Sequence, residues 1–185
     1  MNPWVLLAIC FFLFATTAFC QSAATHPSAG NIPQSDSTFS QVRRLFQKGK
    51  YDSAAIMIER GLALSEKNGP DSFPLKFYLE KANLVMVRGD KKAGLQILHL
   101  KAAPYVNRHT SYRIVDKYYN LMGTCYRTLL NYDSALYYFR ENEKLNNIHD
   151  PYSNWLAYYQ LALTYMQANL PLEAEQYFWK SYKLT

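Results

Sequence analysis

Residues 119–139 read YNLMGTCYRTLLNYDSALYYF, and residues 158–178 read YYQLALTYMQANLPLEAEQYF. Set one above the other, Tyr119 falls on Tyr158, Met122 on Leu161, Gly123 on Ala162, Tyr126 on Tyr165, Ala135 on Ala174 and Phe139 on Phe178, each pair 39 residues apart. An earlier passage, GKYDSAAIMIERG at 49–61, carries the same Tyr-Asp-Ser-Ala run as 132–135. A period of this length marks a stack of like supersecondary units that bury their apolar faces on one another, and not a single globular core.

The spacing inside the unit predicts helices. Tyr119, Met122, Gly123 and Tyr126 recur at helical intervals and share one face of a first helix, while Ala135 and Phe139 share one face of a second. A small residue at Gly123 or Ala162 lets the second helix approach, and Ala135 and Ala174 do the same from the other side. Tyr126 and Phe139 fill the space beside them. This pattern resembles the tetratricopeptide repeat, W-x2-L-G-x2-Y…A-x3-F…P. Repeat three supplies Tyr119-x2-Met122-Gly123-x2-Tyr126…Ala135-x3-Phe139, and repeat four supplies Tyr158-x2-Leu161-Ala162-x2-Tyr165…Ala174-x3-Phe178.

The first half carries the pattern in looser form. Repeat one has Val42 and Leu45, then Gly49 to Ala54 and Ile58. Repeat two has Tyr78, Ala82 and Val85, then Gly89, Gly94 and Leu98. The register points 54, 94, 135 and 174 differ by 40, 41 and 39 residues, against a family period of about 34. The resemblance implies an all-α fold, a right-handed α-α superhelical solenoid of four helix pairs over 37–185, with repeats near 37–70, 72–103, 111–147 and 151–185. Helix signals agree. Ser37 or Asp36 caps the first helix, Asp52 caps the second, and Lys67-Asn68-Gly69-Pro70 stops it. Asn146-Asn147 marks the end of the sixth helix, and Pro171 suits the first turn of the eighth.

The chain opens MNPWVLLAICFFLFATTAFCQ, with residues 4–19 almost wholly apolar and uncharged. That is short for a membrane span and fits the h-region of a secretory signal over 1–20, with Ala18-Phe19-Cys20 as the cleavage site. An uncleaved anchor and lipidation at Cys20 are the alternatives. Residues 21–36 are small and polar and read as a flexible spacer. Of three cysteines, Cys10 and Cys20 lie in the signal, so the exported chain keeps Cys125 alone and has no internal disulfide. A periplasmic or extracellular location is expected.

The net charge of +6 is lopsided. Between residues 36 and 117, 15 Lys and Arg stand against 8 Asp and Glu; after that there are 5 against 6. A basic first half suits an acidic partner, an anionic surface or nucleic acid, and no nucleic-acid reader motif accompanies it. The histidines His26, His99, His109 and His149 never fall at metal-ligand spacing. No catalytic or phosphate-binding motif is present, and His149-Asp150 and Arg88-Gly89-Asp90 both read as turn residues. No enzyme activity, cofactor or metal is expected.

The resemblance further implies that first helices line a concave groove. Family groove positions fall on Arg43, Lys76, Asn83, Lys117, Asn120, Arg127 and Tyr159, a mixture suited to an acidic or extended peptide. The function expected is protein–protein interaction, with the chain as the extracytoplasmic sensor part of a longer signalling regulator. An accessory subunit of an envelope complex or a self-assembling component is the alternative. Contact with a membrane would come only through an uncleaved signal or a later span. The last helix displays Tyr177, Phe178, Trp179, Tyr182 and Leu184. Such an apolar end predicts continuation into further chain, a second copy, or a covering partner.

Overall fold

Four times among the described residues, one residue in the left-handed region stops a helix and turns the backbone into the next. These residues are Gly49 (φ 65°), Gly89 (φ 102°), Leu130 (φ 63°) and Asn169 (φ 61°). The N–H of the following residue returns to the carbonyl five residues back: Lys50 to Leu45, Asp90 to Val85, Asn131 to Tyr126 and Leu170 to Tyr165, at 2.9–3.1 Å. The left-handed residue itself donates to the carbonyl three back, at 3.0–3.1 Å. The two bonds together are a Schellman closure, which satisfies carbonyls that a helix end would leave bare. The turns are spaced by 40, 41 and 39 residues, the same intervals that separate Ala54, Gly94, Ala135 and Ala174.

The computed structural model describes the backbone of residues 32–68, 72–107 and 109–185, and the side chains of residues 36–65, 73–107 and 109–185. The signal region expected over 1–20, and most of the spacer, lie outside the described residues. Among the described residues the fold is all-helical, with no strand. The helices are α1 (Ile32–Gln47), α2 (Tyr51–Asn68), α3 (Ser72–Val87), α4 (Lys91–Ile97), α5 (Tyr112–Thr128), α6 (Tyr132–His149), α7 (Asn154–Gln167) and α8 (Pro171–Tyr182). No helix among them is long and apolar enough to cross a membrane.

Each helix packs on the next in sequence. Odd-numbered helices also touch one another, α1 on α3, α3 on α5 and α5 on α7, whereas among the described residues the backbones of α2, α4, α6 and α8 stay apart from one another. The apolar interior is continuous along this ladder. Val42, Ile58, Phe77, Leu79, Leu98, Met122 and Cys125 join α1 to α5, while Ala135, Phe139, Leu161, Tyr165 and Ala174 join α6 to α8. Tyr126 touches both groups, stacks on Tyr138 with ring centres 5.6 Å apart, and bonds His99 Nε2 through its hydroxyl at 2.8 Å. The small residues sit where large side chains cross. A Cβ on Gly123 would lie 2.6 Å from the Phe139 ring, and one on Gly61 would lie 2.1 Å from that of Phe77. Each large apolar side chain buried this way contributes about 1.5–3 kcal/mol relative to exposure.

Several boundaries differ from the sequence reading. The spacer expected over 21–36 gives way to helix at Ile32, which places Pro33 in the first turn, where no N–H is needed. Asp52 is not the cap of α2; its carboxylate pairs with Arg88, 2.5 Å away. Past Ile97 the helix widens into a π turn over Leu98–Ala102 and a 3-10 turn over Ala103–Tyr105, because Pro104 has no N–H with which to continue the ladder. Asn146-Asn147 does not end α6, which runs on to His149. Asn146 donates to Asp116 Oδ1 on α5 at 3.0 Å, and Asn147 accepts from Asn154 on α7 at 2.6 Å. Asparagine breaks helices by bonding its own backbone, and here both side chains are engaged by neighbouring helices instead.

Leu130 occupies a conformation that an L side chain adopts at a cost of roughly 1–2 kcal/mol, and its side chain is 72 % exposed, so it repays little through packing. Leu130→Gly is therefore expected to raise stability by about 0.5–1 kcal/mol after allowing for the greater freedom of glycine in the unfolded chain. Urea unfolding followed by circular dichroism measures it; a loss of stability would contradict the left-handed turn.

A candidate groove on the odd-numbered helices

The odd-numbered helices enclose a cavity of about 520 Å³. Phe39 and Arg43 enter from α1, Lys76, Leu79 and Glu80 from α3, Arg113, Ile114, Asp116, Lys117, Asn120 and Leu121 from α5, and Leu156 from α7. No even-numbered helix contributes a wall. The residues are spaced for this: 113, 117 and 120 follow one face of α5, and 76, 79 and 80 one face of α3.

Four of the seven groove residues read from the sequence meet here: Arg43, Lys76, Lys117 and Asn120. The other three do not line the cavity. Arg127 reaches across to α7 and donates to Gln160 Oε1 at 3.0 Å, with burial as the main cause of its lowered pKa. Tyr159 is part-exposed and meets the edge of Phe178, ring centres 6.0 Å apart. Asn83 is half-buried on α3, outside the cavity wall.

The structure adds charges that the sequence reading passed over. Glu80, almost fully buried, holds Lys117 Nζ at 2.6 Å. Its place four residues after Lys76, on the same helix face, was the available signal. Asp116 accepts Asn146 Nδ2 through its carboxylate, and its carbonyl accepts Asn142 Nδ2 at 3.1 Å. Both carboxylates of the cavity are thus engaged by the protein's own donors. The cations are freer. Arg43 is exposed and makes no ion pair among the described residues. Arg113 is exposed, donates to the Tyr112 hydroxyl at 3.1 Å, and makes no ion pair among the described residues. Lys76 lies 4.7 Å from the centre of the Phe73 ring and 3.7 Å from Asp36. Asn120 accepts from Thr124 at 3.5 Å, which leaves its amide N–H groups for another acceptor. The uncommitted polar capacity of the groove is therefore mostly hydrogen-bond donor and positive.

Of the residues read as turn residues, Arg88, Gly89 and Asp90 lie at a turn, whereas His149 is the last residue of α6. Gly89 turns the chain, Asp90 caps α4 by accepting Ala93 N–H at 2.9 Å, and Arg88 holds Asp52. His149 stacks on Tyr112 with ring centres 4.8 Å apart, while Asp150 accepts the Ser153 hydroxyl at 2.7 Å. Cys125 is buried with its thiol against Met86 Sδ at 3.2 Å, and burial pushes its pKa up to about 11. It is held as a protonated thiol, not as a thiolate nucleophile. Of the twelve packing residues, Met122, Gly123, Ala135, Phe139, Leu161, Ala162, Tyr165 and Ala174 are buried, and Tyr119, Tyr126, Tyr158 and Phe178 half-buried. No family model matches this chain, and no curated protein matches it.

Burial raises the pKa of Asp116, with the two asparagine contacts opposing it. A carboxyl whose pKa is higher folded than unfolded weakens the fold as pH climbs above its unfolded value, because the unfolded chain ionises more readily. Asp116→Asn keeps the acceptor oxygen and removes the charge. The variant is expected to be more stable than the parent at pH 7, with the advantage disappearing below about pH 4, where the carboxyl is protonated in both states. Thermal melts across that range measure it; an advantage independent of pH would contradict the burial of this charge.

Proposed function

We propose that this chain is an exported, non-enzymatic interaction module of tetratricopeptide type, a right-handed superhelix of four pairs that holds an acidic, extended segment of another protein along its odd-numbered helices. The observation that carries the reading is the cavity whose walls come from α1, α3, α5 and α7 alone. Its carboxylates are internally bonded, while Arg43, Arg113 and Lys76 remain able to meet an anion. The repeated turn at Gly49, Gly89, Leu130 and Asn169 and the contact ladder of odd helices support the superhelical part of the proposal. The four residues gathered in the cavity support the groove, and the basic surplus of residues 36–117 supports the acidic occupant.

An extended peptide in such a groove is recognised by charge at the rim and by pockets for alternate side chains. Phe39, Leu79, Ile114, Leu121 and Leu156 supply the apolar floor, so an occupant that alternates acidic and apolar residues suits it best. The test is fluorescence anisotropy with a labelled peptide alternating Glu and Leu and its Lys-for-Glu counterpart. The acidic peptide is expected to bind and the basic one not. Arg43→Glu should weaken binding about tenfold or more, since like charges facing each other cost several kcal/mol, and added salt should weaken the parent complex. Equal binding of both peptides, or no response to Arg43→Glu, would overturn the reading.

A further inference from the structure

The last helix pair carries open a socket that the pair before it has filled. Met166 on α7 and Ala174, Glu175, Phe178, Trp179 and Tyr182 on α8 line a cavity of about 460 Å³. Their counterparts 39 residues earlier are Arg127, Ala135, Leu136, Phe139, Arg140 and Glu143. Those earlier positions receive α7: Arg127 donates to Gln160, Arg140 donates to the Tyr165 hydroxyl, and Ala135 and Phe139 are buried together with Leu161 and Tyr165. The terminal cavity is thus continuous in kind with an interface the fold already uses.

Its chemistry has changed in a particular way. Met166 and Trp179 replace two arginines and Tyr182 replaces a glutamate, so the donors that held the earlier helix are gone. Glu175 replaces a leucine and places one carboxylate in an apolar wall, with no ion pair among the described residues. The occupant of such a socket brings aromatic or aliphatic side chains with a cation beside them.

Helix α8 itself answers that description. Glu175, Trp179 and Lys183 fall four residues apart and run along one stripe. Trp179 is 56 % exposed and Tyr182 72 %. Lys180 is committed to the Tyr177 ring, 4.4 Å from its centre, which leaves Lys183 at the end of the stripe. We infer that a second copy of this chain covers the cavity, its α8 lying antiparallel across the first about a two-fold axis at Trp179. That axis brings Glu175 of each copy to Lys183 of the other and seats each Trp179 against the other's cavity. A two-fold contact repeats every interaction, so one Glu-x3-Trp-x3-Lys stripe is self-complementary. Of two Trp and two Tyr side chains already partly covered, roughly 400–650 Å² remains to be buried, below the size of a standard interface, so the dimer is weak and reversible and forms at micromolar concentration or above. The inference is independent of what the groove binds.

Sedimentation equilibrium of residues 21–185, which retain every described helix, tests it across the micromolar range. A reversible monomer–dimer equilibrium is expected, and Trp179→Glu should leave monomer throughout with an unchanged melting temperature. Glu175→Lys and Lys183→Glu should each weaken the dimer roughly tenfold by setting like charges face to face. The double variant, which restores opposite charges with exchanged positions, should recover most of that loss. A monomer at all concentrations, a dimer indifferent to Trp179→Glu, or a double variant no tighter than the single ones would overturn the inference.

Discussion

Everything in this fold hangs on how closely one helix may approach the next. Where α5 and α6 cross, the Phe139 ring lies over Gly123 with no room for even a methyl group, and Phe77 lies over Gly61 in the same manner. A smooth groove on one helix and a ring on the other replace the larger interlocking of a globular core. The contact buries an aromatic surface without demanding a long helix. It also leaves the α5–α6 pair a second face, which α7 covers through Leu161 and Tyr165. That second face is why each helix packs on the next along the chain.

Polar side chains fix the register of the later pairs. Asn142 and Asn146 on α6 are both buried and both bonded to Asp116 on α5, and Asn154 at the head of α7 bonds Asn147. Buried amides bonded between helices cost little only in one arrangement, because a slip of one residue leaves donors without acceptors. The same network holds the Asp116 carboxylate and removes it as a competitor for an incoming anion. Lys117 and Glu80 do the converse on the other side of the cavity, where a cation counted toward the groove is partly neutralised by a carboxylate beneath it. The electrostatics of the groove are therefore set by Arg43 and Arg113, with Lys76 shared with Asp36, more than by the total of basic residues.

The helices and the repeat period were legible in the sequence because they rest on local rules. The small and aromatic positions recur at fixed offsets, and Gly49 and Gly89 announce their turns. Leu130 and Asn169 do not, and only comparison with the glycine turns marks them as left-handed. The end of α6 was misread for a related reason: Asn146-Asn147 looks like a stop until Asp116 and Asn154 supply partners from helices far away in sequence. The candidate groove was half legible. Arg43, Lys76, Lys117 and Asn120 converge in the cavity, but Arg127 turns away to Gln160 and Tyr159 to Phe178, since helical spacing gives the face of a residue and not the direction of a long side chain. The partners that cancel charge, Glu80 above all, come from between helices, where spacing along one helix gives no guide.

The central claim is that the cavity on the odd-numbered helices is where this protein meets another. Backbone amide shifts recorded by NMR during titration with an acidic, leucine-bearing peptide test it most directly. Shifts concentrated around Arg43, Lys76, Arg113 and Asn120, with α2, α4 and α6 unmoved, are the result this account requires. Shifts centred on the even-numbered helices, or none at peptide concentrations in the millimolar range, would contradict it.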